Sequence, residues 1–123
     1  MGIDKKRIYD IKIYHNPKCS KSREALSLLE QNNIKPKIID YLDETLERED
    51  LVYIISKLRI NPRDMMRKNE SIYKEHNLSD PLITDDELID MIIRFPILME
   101  RPIVVNQDRA VIGRPPENIL KIL

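Results

Sequence analysis

The stretch Ile11-Lys12-Ile13-Tyr14-His15-Asn16-Pro17-Lys18-Cys19-Ser20-Lys21-Ser22-Arg23 decides the fold. Ile11, Ile13 and Tyr14 predict a short strand, and Asn16-Pro17 breaks it. Ser20 then opens a helix running to about Gln31, with Ala25, Leu26, Leu28 and Leu29 as its apolar stripe and Asn32-Asn33 as its stop. Lys37-Ile38-Ile39-Asp40-Tyr41 predicts a second strand. A strand, a helix and a strand in this order imply a parallel pair joined by a crossover helix.

Farther along the chain, Leu51, Ile54, Ile55 and Leu58 fall at i, i+3, i+4 and i+7, an amphipathic helix over about Glu47 to Arg59. Asn61-Pro62 opens a short helix through Met66, and another helical piece falls around Ile72–His76. Thr84-Asp85-Asp86-Glu87 matches a capping box. The helix it opens carries Leu88, Ile89, Met91, Ile92 and Phe95 and stops at Pro96. Ile103-Val104-Val105 and Ala110-Val111-Ile112 read as a hairpin, and Pro115-Pro116 starts a last helix with Ile119, Leu120, Ile122 and Leu123. The fold class is therefore α/β with a mixed sheet. Its order, β-α-β and then β-β-α, is that of the thioredoxin-like fold with a helical insertion over about 44–98. One domain over 11–123, preceded by an extension over 1–10, is the expected organisation.

Composition agrees with one charge-rich globular domain. The 123 residues are 41% hydrophobic and 34% charged, with 21 Lys plus Arg against 21 Asp plus Glu. The zero net charge supplies no bulk basic field for nucleic acid or an anionic membrane, so any anion site has to be a local cluster. No apolar run approaches the ~20 residues of a membrane span. Lys5, Lys6 and Arg7 lead into no apolar core, so a signal peptide is not expected. Cys19 is the only cysteine. It allows no disulfide framework and no multi-cysteine metal site, and no metal is expected. A lone thiol points to the cytoplasm.

Position makes Cys19 the leading chemical group. It sits between a strand and a helix, where unpaired amides and the helix dipole favour negative charge. Lys18, Lys21 and Arg23 flank it. Such surroundings lower a thiol's pKa and create a nucleophile; the alternative is a small buried hydrophobe. From spacing alone, His15 is either a surface histidine at a strand end or a group that shares a hydrogen bond near the thiol. Ser22 completes Cys-x-x-Ser, and its hydroxyl either donates to the thiolate or is merely helical. Arg67, Arg101 and Arg114 have guanidinium forks suited to a tetrahedral oxyanion. Taken singly they read as solvated arginines, and spacing does not bring them together.

Beyond these readings, the chain resembles the glutaredoxin-dependent arsenate reductase (ArsC) family from about Ile11 to Leu123. The resemblance rests on Ile13-Tyr14-His15-Asn16-Pro17-Lys18-Cys19, Met66-Arg67-Lys68-Asn69-Glu70, Thr84-Asp85-Asp86-Glu87-Leu88-Ile89-Asp90, Pro96-Ile97-Leu98, Arg101-Pro102-Ile103-Val104-Val105 and Gly113-Arg114-Pro115. It implies a thioredoxin-like fold, Cys19 as nucleophile with His15 tuning it, and an oxyanion held by Arg67, Arg101 and Arg114. It also implies a cis bond before Pro102. Arsenate would be the substrate, with phosphate or sulfate as mimics. Glutathione would be co-substrate and glutaredoxin the resolving partner, with no bound cofactor. One departure is Gly113, which stands where the best-known members carry a cysteine.

Two competing functions share much of this pattern. Spx-type regulators of the same fold bind RNA polymerase, but they typically carry Cys-x-x-Cys where this chain has Ser22. A glutathione-dependent thiol oxidoreductase acting on another substrate would also fit a Cys-x-x-Ser site. In either enzymatic case the single cysteine excludes an intramolecular disulfide, so the second thiol must come from another molecule.

Overall fold

The structure, a computed structural model, describes residues 11–123; the extension expected over 1–10 lies outside the described residues. The described chain forms two compact units. One comprises residues 11–44 and 101–123, the other residues 45–100.

The first unit is built on strand β1 (Ile11–His15), helix α1 (Ser20–Gln31) and strand β2 (Lys37–Asp40). The hairpin β3 (Ile103–Asn106) and β4 (Arg109–Ile112) completes a four-stranded sheet of order β2-β1-β3-β4. β1 runs parallel to β2 and antiparallel to β3, so the sheet is mixed. Ile13 pairs with Ile38 on one side and Val104 on the other. The strand alternation delivers Ile11, Ile13 and Val104 to one face, where Ala25 and Leu29 of α1 meet them. Ile119 and Ile122 close the same core. Tyr14 and His15, on successive and hence opposite faces, are both buried. α1 ends where Asn32 Nδ2 donates to the Leu28 carbonyl and Asn33 turns left-handed at φ 60°.

The C-terminal segment corrects one expectation. Pro116–Ile122 is a 3-10 helix, not an α-helix. Its buried residues explain why: Ile119 and Ile122 both reach the core, whereas Leu120 and Leu123 are exposed. Side chains three apart eclipse in a 3-10 helix, which stacks those two isoleucines on one line.

The second unit holds helices α2 (Arg48–Leu58), α3 (Ser71–Glu75) and α4 (Asp85–Arg94), with 3-10 turns at Pro62–Met65 and Pro96–Leu98. α2 buries Leu51, Ile54 and Ile55, and α4 buries Leu88, Ile89 and Ile92. The capping box of α4 forms as expected: Glu87 N–H donates to Thr84 Oγ1 at 3.2 Å, and Thr84 N–H to Glu87 Oε1 at 3.0 Å. Arg48 ties α2 to α4 through Asp86 and Asp90. A short antiparallel bridge between Met66 and Met99 joins the two 3-10 segments. Among the described residues, no helix is long and apolar enough to cross a membrane.

Candidate active site

Cys19 is the N-cap residue of α1, with extended backbone at φ −94° and ψ 123°. A tight turn delivers it there. Cys19 N–H donates to the Asn16 carbonyl at 3.0 Å, and Lys18 N–H donates to Asn16 Oδ1 at 3.0 Å. Pro17, second in the turn, suits that position because its φ is preset. Arg23 N–H then donates to the Cys19 carbonyl at 3.0 Å and starts the helical ladder.

Beneath the turn lies a buried polar cluster. His15, Asn16 and Ser22 are each at least nine-tenths buried. Ser22 Oγ accepts from Asn16 N–H at 3.1 Å and lies 2.5 Å from His15 Nδ1. A neutral imidazole protonated on Nε2 satisfies all three groups: Nδ1 accepts the Ser22 hydroxyl proton while the serine oxygen accepts the amide. Burial drives His15 below its ordinary pKa of 6.5; Asp40 opposes this and Arg23 reinforces it. The surface-histidine alternative is thereby overturned. Ser22 Oγ is bonded to His15 and to the Asn16 amide beneath the turn.

The backbone N–H of Ser22 acts on the Cys19 sulfur. Burial pushes the Cys19 thiol up, but the Ser22 N–H, the Arg101 side chain, the Lys21 N–H and the Arg101 charge outweigh it, and the thiol ends below its ordinary value. The sulfur makes no full capping hydrogen bond. The two amides act on it as donors that favour its anion over its neutral form. Cys19 is partly exposed, so an incoming reagent has access to the sulfur.

Two arginines attend this thiol. Arg114 Nη2 lies 3.4 Å from Cys19 Sγ, and Arg114 Nε donates to the Arg101 carbonyl at 2.8 Å. Arg101 Nε and Nη1 are buried and have no hydrogen-bond partner among the described residues. Buried donors without acceptors are rare, and these two belong to one guanidinium beside the thiol. The Arg101–Pro102 and Arg114–Pro115 bonds are both cis; the second was not expected from the sequence.

Gly113, just before Arg114, lies against Pro102, just after Arg101. Its N–H donates to the Pro102 carbonyl at 2.8 Å, and a Cβ at this position would stand 2.8 Å from Pro102 Cγ. In the sequence this glycine stands out only as a departure from the family pattern. Its rarity was the available signal, since the chain has two glycines in all. Asn16 was also missed, having been read only as a strand breaker. Arg67, the third arginine of interest, belongs to the second unit. There its N–H donates to the Leu98 carbonyl at 2.6 Å and its Nε to Glu70 Oε1 at 3.0 Å. The structure thus assembles Cys19, Arg101 and Arg114 in one unit and holds Arg67 in the other. Among the described residues no group of three or more His, Cys, Asp or Glu side chains is placed to hold a metal ion.

A thioredoxin-like sheet with one activated thiol at the start of its first helix and arginines at that thiol defines a cysteine-based redox protein. The ArsC family profile matches residues 14–122, and the chain belongs to the ArsC family. It is 48% identical over 112 residues to an arsenate reductase of Haemophilus influenzae, covering 90% of this chain and 97% of that protein. It is 46% identical over 114 residues to the uncharacterized protein YfgD of Escherichia coli K12, covering 92% and 96%. Among solved structures, the arsenate reductase from Vibrio cholerae matches with a TM-score of 0.89 and 49% identity, over 92% of this chain and 97% of that one.

Proposed function

We propose that this protein reduces arsenate to arsenite, with Cys19 as nucleophile and glutathione and glutaredoxin as the source of electrons. The observation that carries the reading is Arg101, whose two buried, unpartnered donors accompany a thiol held below its ordinary pKa. Arsenate is a tetrahedral oxyanion of the kind such a fork binds. The names of the relatives support the choice of arsenate.

In this reading Arg101 and Arg114 hold the arsenate oxygens while the Cys19 thiolate attacks arsenic(V). An As–S bond forms and an oxygen leaves as water. Glutathione adds its sulfur to the same arsenic, displacing a second oxygen. The two sulfurs then join, the As–S bonds break, and their electron pair reduces arsenic(V) to arsenic(III), which departs as arsenite. Cys19 is left as a mixed disulfide with glutathione. A glutaredoxin thiolate attacks the glutathione sulfur and returns Cys19 as a thiolate. No second cysteine is available in the chain, so an outside thiol is obligatory. Arg67 enters as a third oxyanion ligand on the family resemblance, and Arg67→Ala tests it. Reducing cytoplasm, where glutathione is kept as thiol, suits this cycle.

The test is arsenite release from arsenate with glutathione and glutaredoxin present, then with each omitted in turn. Expected are turnover only in the complete mixture, a glutathionyl mass on Cys19 when glutaredoxin is omitted, and loss of both in Cys19→Ser. Arg101→Lys should lower activity sharply, because an ammonium cannot reproduce the planar fork. Multiple turnover without any thiol, or full activity in Cys19→Ser, would overturn the proposal.

A further inference from the structure

We infer that Asn16 is a positioning residue for the nucleophile: its carbonyl and amide side chain hold the turn that sets Cys19 on the end of α1, and its neutrality keeps a second negative charge away from the sulfur. The inference rests on Cys19 being the reactive thiol and adds a residue to its machinery.

Three bonds converge on this one residue. Its carbonyl accepts Cys19 N–H at 3.0 Å, its Oδ1 accepts Lys18 N–H at 3.0 Å, and its own N–H donates to Ser22 Oγ at 3.1 Å. They close a small frame. Ser22 anchors the start of the turn to the first turn of α1, and the same residue's backbone N–H serves the Cys19 sulfur. Movement of Asn16 therefore changes the angle at which Cys19 meets the amides of Lys21 and Ser22. Asn16 is itself only 6% exposed, so the frame is shielded from water that would replace its bonds.

The choice of asparagine over aspartate carries separate information. Both residues accept an amide two positions on and are favoured at the first position of a turn. Aspartate would make the same bond to Lys18 N–H, with a stronger, ionised acceptor. It would also place a buried carboxylate in the same turn as the thiolate, three residues before it, and like charges oppose one another's ionisation. A neutral amide keeps the geometry and avoids that opposition. The other charged groups facing this cluster are Asp40 and Arg23, both acting on His15, and Arg101 and Arg114 at the sulfur.

The experiment compares Asn16→Asp and Asn16→Ala with the unmodified full chain. Thiolate absorbance near 240 nm is followed against pH, and iodoacetamide alkylation of Cys19 is timed at pH 7. Neither readout needs arsenate, so the outcome is independent of whether arsenate is the substrate. For Asn16→Asp the expected result is a fold that melts like the parent and a thiol midpoint raised by about one unit, roughly a tenfold loss of thiolate below the midpoint. For Asn16→Ala, loss of the side-chain bond should slow alkylation by about threefold to tenfold. An unchanged midpoint in Asn16→Asp would overturn the role of neutrality, and unchanged alkylation in a folded Asn16→Ala would overturn the role in positioning. If Asn16→Ala does not fold, Asn16→Leu, which keeps the side chain's bulk and removes its acceptor, takes its place, and unchanged alkylation in it would overturn the role in positioning.

Discussion

Replacing Gly113 by alanine tests how the two arginines are brought to the thiol. The added Cβ would stand 2.8 Å from Pro102 Cγ and 3.4 Å from Ile119 Cγ2, where ordinary contact begins at about 3.4 Å. Neither neighbour can swing aside: one is a ring, and Ile119 is fully buried in the core. The strand end must therefore retreat from Pro102 by about 0.6 Å, and overpacking of this kind costs roughly 1–3 kcal/mol. Arg114 follows directly in the chain. A retreat of that size would stretch its 2.8 Å Nε bond to the Arg101 carbonyl by at most about 0.6 Å, toward the limit of a good hydrogen bond. It would also loosen the 3.4 Å approach of Arg114 to Cys19 Sγ. Expected are a melting temperature lowered by several degrees, at roughly 3–6 °C per kcal/mol for a chain of this size, and weaker sulfate protection of Cys19 against alkylation. Calorimetry reads the first and alkylation kinetics at graded sulfate the second. A variant that melts with the parent and is protected equally well would refute the argument that Gly113 is required for close approach.

Two further outcomes follow from the buried cluster. Ser22→Ala should lower stability by about 1–3 kcal/mol in urea denaturation, because Asn16 N–H and His15 Nδ1 lose their shared buried partner; a change under about 0.5 kcal/mol would contradict this bonding scheme. His15 sets an acid limit. Its folded pKa lies below 6.5, so as pH falls through 6.5 the unfolded chain takes up a proton that the folded chain does not, and stability falls until the folded pKa is passed. His15→Gln should flatten this part of the profile of urea midpoint against pH between about 7 and 5, and an identical slope in the variant would count against it.

Local physics made the elements legible. The spacing of Leu51, Ile54 and Ile55 and the Thr84 capping box predict helices that form as α2 and α4, because each signal operates within about two turns of chain. The hairpin at Arg109 and the break at Asn16-Pro17 were readable for the same reason. What the sequence left unread is set across long separations. Arg114 reaches a sulfur 95 residues away, and nothing in the intervening pattern specifies that approach. His15 offered a misleading signal, since a polar residue at a strand end is ordinarily solvated. Its buried Nδ1 is bonded to Ser22 Oγ, seven positions on. The C-terminal turn failed by a subtler route. The apolar run Ile119-Leu120 and Ile122-Leu123 suits either helix type, and only the requirement that Ile119 and Ile122 alone enter the core selects the 3-10 form.

The first turn of α1 departs from the rest of the chain in a way that the thiol explains. α2 and α4 follow the usual electrostatic preference and begin with acidic residues, Glu49 and Asp50 in one and Asp85, Asp86 and Glu87 in the other. α1 has no acid in its first turn. Lysine and arginine stand there instead, at Lys21 and Arg23, on a helix end that is already positive. No conventional cap offsets them, because the N-cap residue is Cys19 and its neutral side chain makes no full capping bond. Loss of the thiol proton changes that balance. The resulting anion sits where an N-cap acceptor belongs, facing the N–H groups of Lys21 and Ser22, two and three positions into the helix. The thiolate is thus the missing negative end of α1. The amides that cap α1 thus favour the Cys19 anion alongside Arg101, and deprotonation of Cys19 stabilises the fold over the pH range between its lowered value and the ordinary thiol value, an effect complete above the latter and lost as pH falls through the former.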